Sequence, residues 1–247
     1  VCEPYSASMY EQDVLRLLGG MESQGRELAL LSGGSMLYTD AVCKGIDDLP
    51  TIREDIREGL KKRLADEGLP ILVEELRQLD PAHWQKVDRK NPRRVVHALE
   101  ICLQTGKPYS SFLSQSTKPR PFRTIKVGIN TDRDLLYDRI NRRTEQMLAD
   151  GFCEEALRVY PYRDLNALNT VGYKEMFDYL NGLVTMRQTI ERIQSNTRRY
   201  ARKQLTWYKR DAEMRWFNPS EADEIIAYIE SRRTALTGEA SCPISRP

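Results

Sequence analysis

Three short stretches of this chain read as β-strands, and long helical segments separate them. They are residues 27–31, which run into Ser32-Gly33-Gly34, residues 124–130, and residues 214–217. Strands so far apart cannot be joined by tight hairpins. They need crossover connections, and crossovers bring strands together in parallel. The spacing therefore predicts a parallel sheet in an α/β domain, with 27–31 as a buried strand that enters a tight turn.

The intervening segments follow a helical period. Residues 5–18 set Met9, Val14, Leu15, Leu17 and Leu18 among polar residues, with Ser8 as a candidate cap, and residues 35–44 also read as helix. From Thr51, read as an N-cap, Ile52, Ile56, Leu60 and Leu64 recur every four residues on one face. Short helices are predicted over 71–79 and 81–87. Asn91 caps a helix that runs to Leu103, with Pro92 in its first turn and Gly106 just past its end. Residues 108–123 are loop-rich. Asp132 starts a long helix that Gly151 interrupts, and a shorter one follows to about Tyr160. Helices are also predicted over 173–180, 185–210 and, capped by Ser220, 221–235. The block without strands reads as a helical insertion domain at residues 51–119. Residues 1–50 and 120–237 then form the α/β core with C-terminal helices, and residues 238–247 a disordered tail.

Composition narrows the function classes. The chain has 247 residues and 40% hydrophobic residues, enough to bury a sizeable core. No apolar run approaches the roughly 20 residues that span a bilayer, so no membrane association is expected. Residues 1–4 have neither a basic nor an apolar signal region, and the lack of Met at residue 1 points to a cut or incomplete chain. The five cysteines, Cys2, Cys43, Cys102, Cys153 and Cys242, are odd in number and none is at CxxC spacing. That argues against a disulfide framework or a zinc site and for a reducing, cytoplasmic setting. Two histidines, His83 and His97, leave little for a His-rich metal site or a His-based hydrolase.

Net charge is only +2, but its distribution is uneven. Residues 185–210 carry Arg187, Arg192, Arg198, Arg199, Arg202, Lys203, Lys209 and Arg210 against a single acid, Glu191, with Tyr200, Trp207 and Tyr208 interleaved. Arg198 and Arg202, and Arg199 and Lys203, stack four apart along the helix. Cations neutralise phosphates and aromatics stack on exposed bases. The plainer reading is a solvated basic helix with its aromatics in the core. A second cluster, Lys86, Arg89, Lys90, Arg93 and Arg94 with His97 one turn on, makes a shared polyanion more plausible than ordinary surface charge. On the helix from Asp132, Arg139 and Arg143 share a face. Such a pair can bind a diphosphate leaving group or simply pair with Asp132, Asp138 or Glu145. Ser32-Gly33-Gly34-Ser35 could bring backbone N–H groups to a ligand, although a lone Gly-Gly is usually a turn. Residues 169–174, Asn-Thr-Val-Gly-Tyr-Lys, lead into a helix with Gly172 free to allow close backbone approach. There is no GxxxxGK[ST].

Taken together, the chain resembles the tRNA dimethylallyltransferases, isopentenyltransferases that modify adenosine next to the anticodon. The matching stretches are Gly33-Gly34-Ser35-Met36-Leu37-Tyr38, Asn91-Pro92-Arg93-Arg94-Val95 with Ala98-Leu99-Glu100, Arg139-Ile140 with Arg143, Met147 and Gly151, Asn169-Thr170-Val171-Gly172-Tyr173-Lys174-Glu175, and residues 198–207. Five motifs in register, from about Tyr5 to Pro219, are far more specific than any one.

The resemblance implies a P-loop kinase-like parallel sheet core with a helical insertion domain, Mg²⁺, and dimethylallyl diphosphate as donor. The acceptor is N6 of an adenine flipped out of the tRNA anticodon stem-loop. By similarity, tRNA is contacted by Ser35, Arg57, Arg93, Arg94, Val95, Val96, His97, Asn169, Thr170, Val171, Gly172, Tyr173, Lys174, Arg198, Arg199, Arg202 and Lys203. Arg143 looks like the diphosphate-facing, catalytic arginine. No metal ligand is assigned, and a monomer is expected. The family pattern starts with a strand, a phosphate loop with Lys and Ser/Thr, and an Asp general base, none of which is in this sequence. The chain is read as lacking that N-terminal piece, with its main Mg²⁺ site. Alone it is expected to be inactive and weakened in fold. The rivals are a non-catalytic RNA-binding module and an enzyme that prenylates free adenine nucleotides.

Overall fold

A computed structural model describes residue 3, residues 5–114 and residues 117–237. The expected tail at 238–247 lies outside the described residues, as do Cys2 and Cys242. The chain divides into two compact units, one of residues 7–25 and 40–120, the other of residues 1–6, 26–39 and 121–247. The described residues are mostly helical.

The first unit is built of helices: α1 (Ala7–Ser23), α2 (Met36–Lys44, within which the division falls), α3 (Glu54–Asp66), α4 (Leu69–Leu79), α5 (Pro81–Lys86) and α6 (Pro92–Thr105). α6 is the centre against which α3 and α4 pack. Its ends are set locally, as expected. The Asn91 side chain accepts the Arg94 N–H, Pro92 occupies the first turn, and Gly106 closes the helix at φ 66°. The shared core is Leu60, Leu72, Leu76, Val95, Ala98 and Leu99, all 2% exposed or less. Asp80 is fully buried and joins two turns. Its carboxylate accepts the His83 N–H at 2.9 Å, the Ser110 N–H at 2.6 Å and the Ser110 hydroxyl at 2.8 Å. Burial pushes its pKa up, but these donors outweigh it and hold the carboxyl below the usual aspartate value.

α3 begins two residues later than the sequence predicts. Thr51 is not its cap; Arg53 holds that position in an extended conformation, without a side-chain cap bond. Ile52 is buried, and residues 51–53 are non-helical.

In the second unit β1 (Val127–Ile129) is followed by α7 (Arg133–Ala149), α8 (Phe152–Val159), α9 (Tyr173–Leu180), α10 (Met186–Tyr208), β2 (Arg215–Phe217) and α11 (Ala222–Thr237). β1 and β2 pair in parallel, with Val127 opposite Arg215 and Ile129 opposite Phe217. Gly128 faces Trp216 so closely that a Cβ there would lie 2.7 Å from the indole ring. Lys126 Nζ fastens the approach to the strands by pairing with Asp211 at 2.8 Å and Glu213 at 2.7 Å. α8, α9 and α10 close a second core of Phe152, Ala156, Leu168, Met176, Phe177 and Ile193.

The predicted strand at 27–31 is absent. Leu28 is 58% and Leu30 90% exposed, and no described segment pairs with this stretch. An apolar run becomes a strand only where its N–H and C=O groups find a partner. The expected parallel sheet is therefore two-stranded among the described residues. α11 starts at Ala222, and the Ser220 hydroxyl just before it donates to Asn218 Oδ1.

Candidate nucleic-acid interface

α10 organises the second unit's basic surface. Thr185 and Gln188 cap it reciprocally: the Thr185 Oγ1 accepts the Gln188 N–H and the Gln188 side chain accepts the Thr185 N–H. Thr189 and Ile193 are buried. The two halves of the helix differ in how their charge is met. In the first, Arg187 pairs with Glu191 and Arg192 with Asp178, each at 3.1 Å. In the second, Arg198, Arg199, Arg202 and Lys203 form no ion pair among the described residues, and all but Arg198 are exposed. A solvated, self-neutralised helix thus describes the first half only. Tyr200 is 41% and Trp207 37% exposed, so these aromatics are not core residues.

Two loops are tied to this helix. Residues 169–174 enter α9 through Gly172, whose φ of 106° suits glycine and whose missing Cβ leaves room for the Phe152 ring. The Gly172 N–H donates to Glu175 Oε2 at 2.7 Å, and Asn196 of α10 donates to Glu175 Oε1 at 2.6 Å. The carboxylate of Glu175, 5% exposed, is thereby satisfied from both sides. Thr170, Val171 and Lys174 are exposed, Asn169 and Tyr173 half-buried, and Gly172 is buried. Gly34 forms the second tie. Its carbonyl accepts Gln204 Nε2 at 2.8 Å, which sets exposed Ser35 beside α10.

α7 packs along α10. Arg142 pairs with Asp138 at 2.6 Å, whereas Arg139 and Arg143 form no ion pair with a described residue. Arg143 is exposed and lines an open recess of about 600 Å³ with Arg142, Gln146, Met147, Asp150, Phe152 and Glu155. Glu155 also accepts the Tyr173 hydroxyl, which joins the recess to the 169–174 loop. That hydrogen bond, helped by burial, raises the Tyr173 pKa.

In the helical unit Arg93 and Arg94 are exposed at the start of α6, without ion pairs among the described residues. Arg57 and His97 meet at one carboxylate: Glu100 lies 3.7 Å from Arg57 Nε and 3.5 Å from His97 Nδ1. Val95 is fully buried and Val96 packs against the same core. Within the 93–97 motif, then, the Val95 side chain faces the core and Val96 is half-buried against it. Arg89 stacks over Trp84 at 4.5 Å.

Sequence reasoning passed over Tyr137 and Arg133 of α7. Arg133 Nε donates to the Tyr137 hydroxyl at 3.3 Å, and Arg202 of α10 reaches the same oxygen at 3.4 Å. The i, i+4 spacing of Arg133 and Tyr137 was the available signal. Among the described residues no group of three or more His, Cys, Asp or Glu could hold a metal ion. No helix among them is long and apolar enough to cross a membrane. Cys102 and Cys153 form no disulfide among the described residues.

Comparison with known proteins gives consistent matches. A family model described as IPP transferase matches residues 1–211. The tRNA dimethylallyltransferase 2 of Parabacteroides distasonis is 52% identical over 228 residues, which covers 92% of this chain and 76% of that protein. The tRNA dimethylallyltransferase 1 of Phocaeicola vulgatus is 54% identical over 227 residues, 92% of this chain and 75% of that protein. The crystal structure of the tRNA isopentenylpyrophosphate transferase from Bacillus halodurans superposes with a TM-score of 0.60 at 33% identity, over 94% of this chain and 74% of that one. A eukaryotic dimethylallyltransferase acting on tRNA shares the fold, with a TM-score of 0.76 at 18% identity over 99% of this chain and 65% of that one.

Proposed function

This chain belongs to the IPP transferase family, and from that we propose that it moves a dimethylallyl group from dimethylallyl diphosphate to N6 of the adenosine adjacent to the tRNA anticodon. The enzyme class is tRNA prenyltransferase, as its relatives' names state. In the reaction N6 attacks the allylic carbon, the carbon–oxygen bond breaks, diphosphate departs with the electron pair, and N6 gives up a proton.

The chain's own residues divide the work. The unpaired second half of α10, Arg198, Arg199, Arg202 and Lys203, meets the phosphates of the anticodon stem-loop. Ser35 and the 169–174 loop, held to α10 through Gln204 and Glu175, contact the nucleotides beside them. Arg93, Arg94, Arg57 and His97 supply the second RNA-contacting surface. Extruding the target adenine costs a few kcal/mol, which contacts to the flipped base offset. Arg143 faces the leaving diphosphate, where a guanidinium fork matches the oxygens on which charge develops. The two-stranded parallel sheet supports reading residues 120–237 as part of a P-loop kinase-like core, with 51–119 as the helical insertion, while residues 7–25 and 40–50 group with the helical unit. The reducing setting expected of the cytoplasm suits the free thiols.

The observation that carries this reading is the uncompensated charge of α10 joined to two loops that the sequence motifs single out. It is tested by label transfer from dimethylallyl diphosphate to an anticodon stem-loop, with the protein at the full length of its relatives. Label is expected on the adenine, and Arg143→Ala should lower kcat by about 10²–10³ while stem-loop affinity stays within about threefold. Salt-dependent binding without transfer would sink the enzyme reading and leave an RNA-binding module.

A further inference from the structure

We propose that Arg133, Arg198 and Arg202, gathered around Tyr137, form a subsite for one phosphodiester of the bound RNA. The proposal rests on the RNA reading above and extends the footprint from α10 onto the first turns of α7.

Four groups define the subsite. Arg133 donates to the Tyr137 hydroxyl at 3.3 Å, and its guanidinium lies 5.3 Å from the ring centroid. Arg202 reaches the same hydroxyl at 3.4 Å. Arg198 stands 5.7 Å from the ring centroid and is held by Asn141 Oδ1 at 2.7 Å. The hydrogen bond from Arg133, reinforced by that from Arg202, draws the phenol pKa below its usual value, as a positive potential should.

Three guanidinium groups around one phenol repel one another. None has a carboxylate within ion-pair distance among the described residues, although Arg142, Arg187, Arg192 and Arg233 of the same unit each have one. Arg133, Arg202 and the edge of Tyr137 are reachable from solvent. An anion entering here relieves the repulsion and accepts two or three N–H bonds in the fork geometry that suits phosphate.

The position selects which phosphate. Arg143, the residue assigned to diphosphate, is six residues beyond Tyr137 on α7. That places it roughly 9 Å further along the helix axis and about 120° around it. The Tyr137 cluster therefore serves a different anion. Arg198 and Arg202 continue directly into Arg199 and Lys203 on α10, so the anion belongs to the polynucleotide.

The test titrates an anticodon stem-loop RNA from about 50 to 300 mM salt against the protein and its Arg133→Ala, Tyr137→Phe and Arg77→Ala variants. Arg133→Ala is expected to weaken binding about three- to tenfold at low salt and to lower the slope of log K against log salt by about 0.7–0.9. Tyr137→Phe keeps every charge but frees the guanidinium groups, so it should weaken binding less and leave the slope nearly unchanged. Arg77→Ala, in the helical unit and paired with Glu74, should change neither. Inorganic diphosphate, titrated in parallel, should bind the protein and Arg133→Ala equally. An unaltered RNA slope in Arg133→Ala overturns the subsite. So does a loss confined to inorganic diphosphate, which would give the cluster to the donor. Failure of the underlying RNA reading looks different, because the unmutated protein itself would then show a shallow slope.

Discussion

Replacing Glu175 with Ala should both destabilise the second unit and detach the 169–174 loop from α10. The carboxylate is 5% exposed and accepts one N–H from Gly172 and one from Asn196. Hydrogen bonds to a charged group contribute about 1.5–3 kcal/mol each, and a buried donor left unpaired costs about 1–3 kcal/mol. Removing the carboxylate also removes the cost of burying it, so the two losses do not simply add. A net destabilisation of about 3 kcal/mol follows. Glu175→Gln discriminates further. Its amide oxygen can still accept from Gly172, but its NH₂ then opposes the NH₂ of Asn196. Asn196 can turn its oxygen inward, at the expense of the bond that oxygen accepts from Arg199 at 3.3 Å. Glu175→Gln should therefore cost about 1 kcal/mol, one neutral hydrogen bond. Urea unfolding of the single variants and of the Glu175→Ala, Asn196→Ala pair measures the coupling, expected at about 1–3 kcal/mol. Stem-loop affinity should fall with Glu175→Ala. A loss under about 0.5 kcal/mol with unchanged RNA affinity would refute the view that this carboxylate is the clasp between loop and helix.

Two further outcomes concern stability. Gly128→Ala puts a Cβ 2.7 Å from the Trp216 ring in the two-stranded sheet; it should cost about 1–3 kcal/mol and lower Tm in a thermal melt, and an unshifted Tm would show that Trp216 moves freely. Asp80 has a folded pKa below its unfolded one, so its contribution is complete above the unfolded value of about 3.9 and is lost as pH falls through the lower folded value; unfolding free energy measured from pH 6 to 2 should drop below about pH 4, and Asp80→Asn should flatten that drop.

The sequence is most legible where structure is decided locally. α6 follows from Asn91, Pro92 and Gly106, each acting within one turn, and the helix expected over 185–210 is α10, which the structure caps at Thr185. What depends on distant partners was not legible. Residues 27–31 have a strand's apolar run, but their strand character needs a neighbour the run does not name. Thr51 is a good cap by type, yet the helix starts at Glu54 and Ile52 is buried ahead of it. Burial within a motif follows the helical period instead: Val95, Ala98, Leu99 and Cys102 share one face of α6 and are all buried. The basic clusters were visible as residue types. Which of their charges are neutralised was not, because the pairing of Arg192 with Asp178 joins two helices.

The clasp at Glu175 has a consequence for how firmly RNA can be held. Ordering a backbone residue costs about 1–2 kcal/mol in conformational entropy, so a mobile six-residue segment would tax every binding event. Here the 169–174 loop is already fixed at both faces of a buried carboxylate, and its ordering is completed during folding. Association then draws only on translational and side-chain freedom. The preorganised loop should leave the RNA encounter with a smaller entropic penalty and a faster approach than a surface that must shape itself around each anticodon.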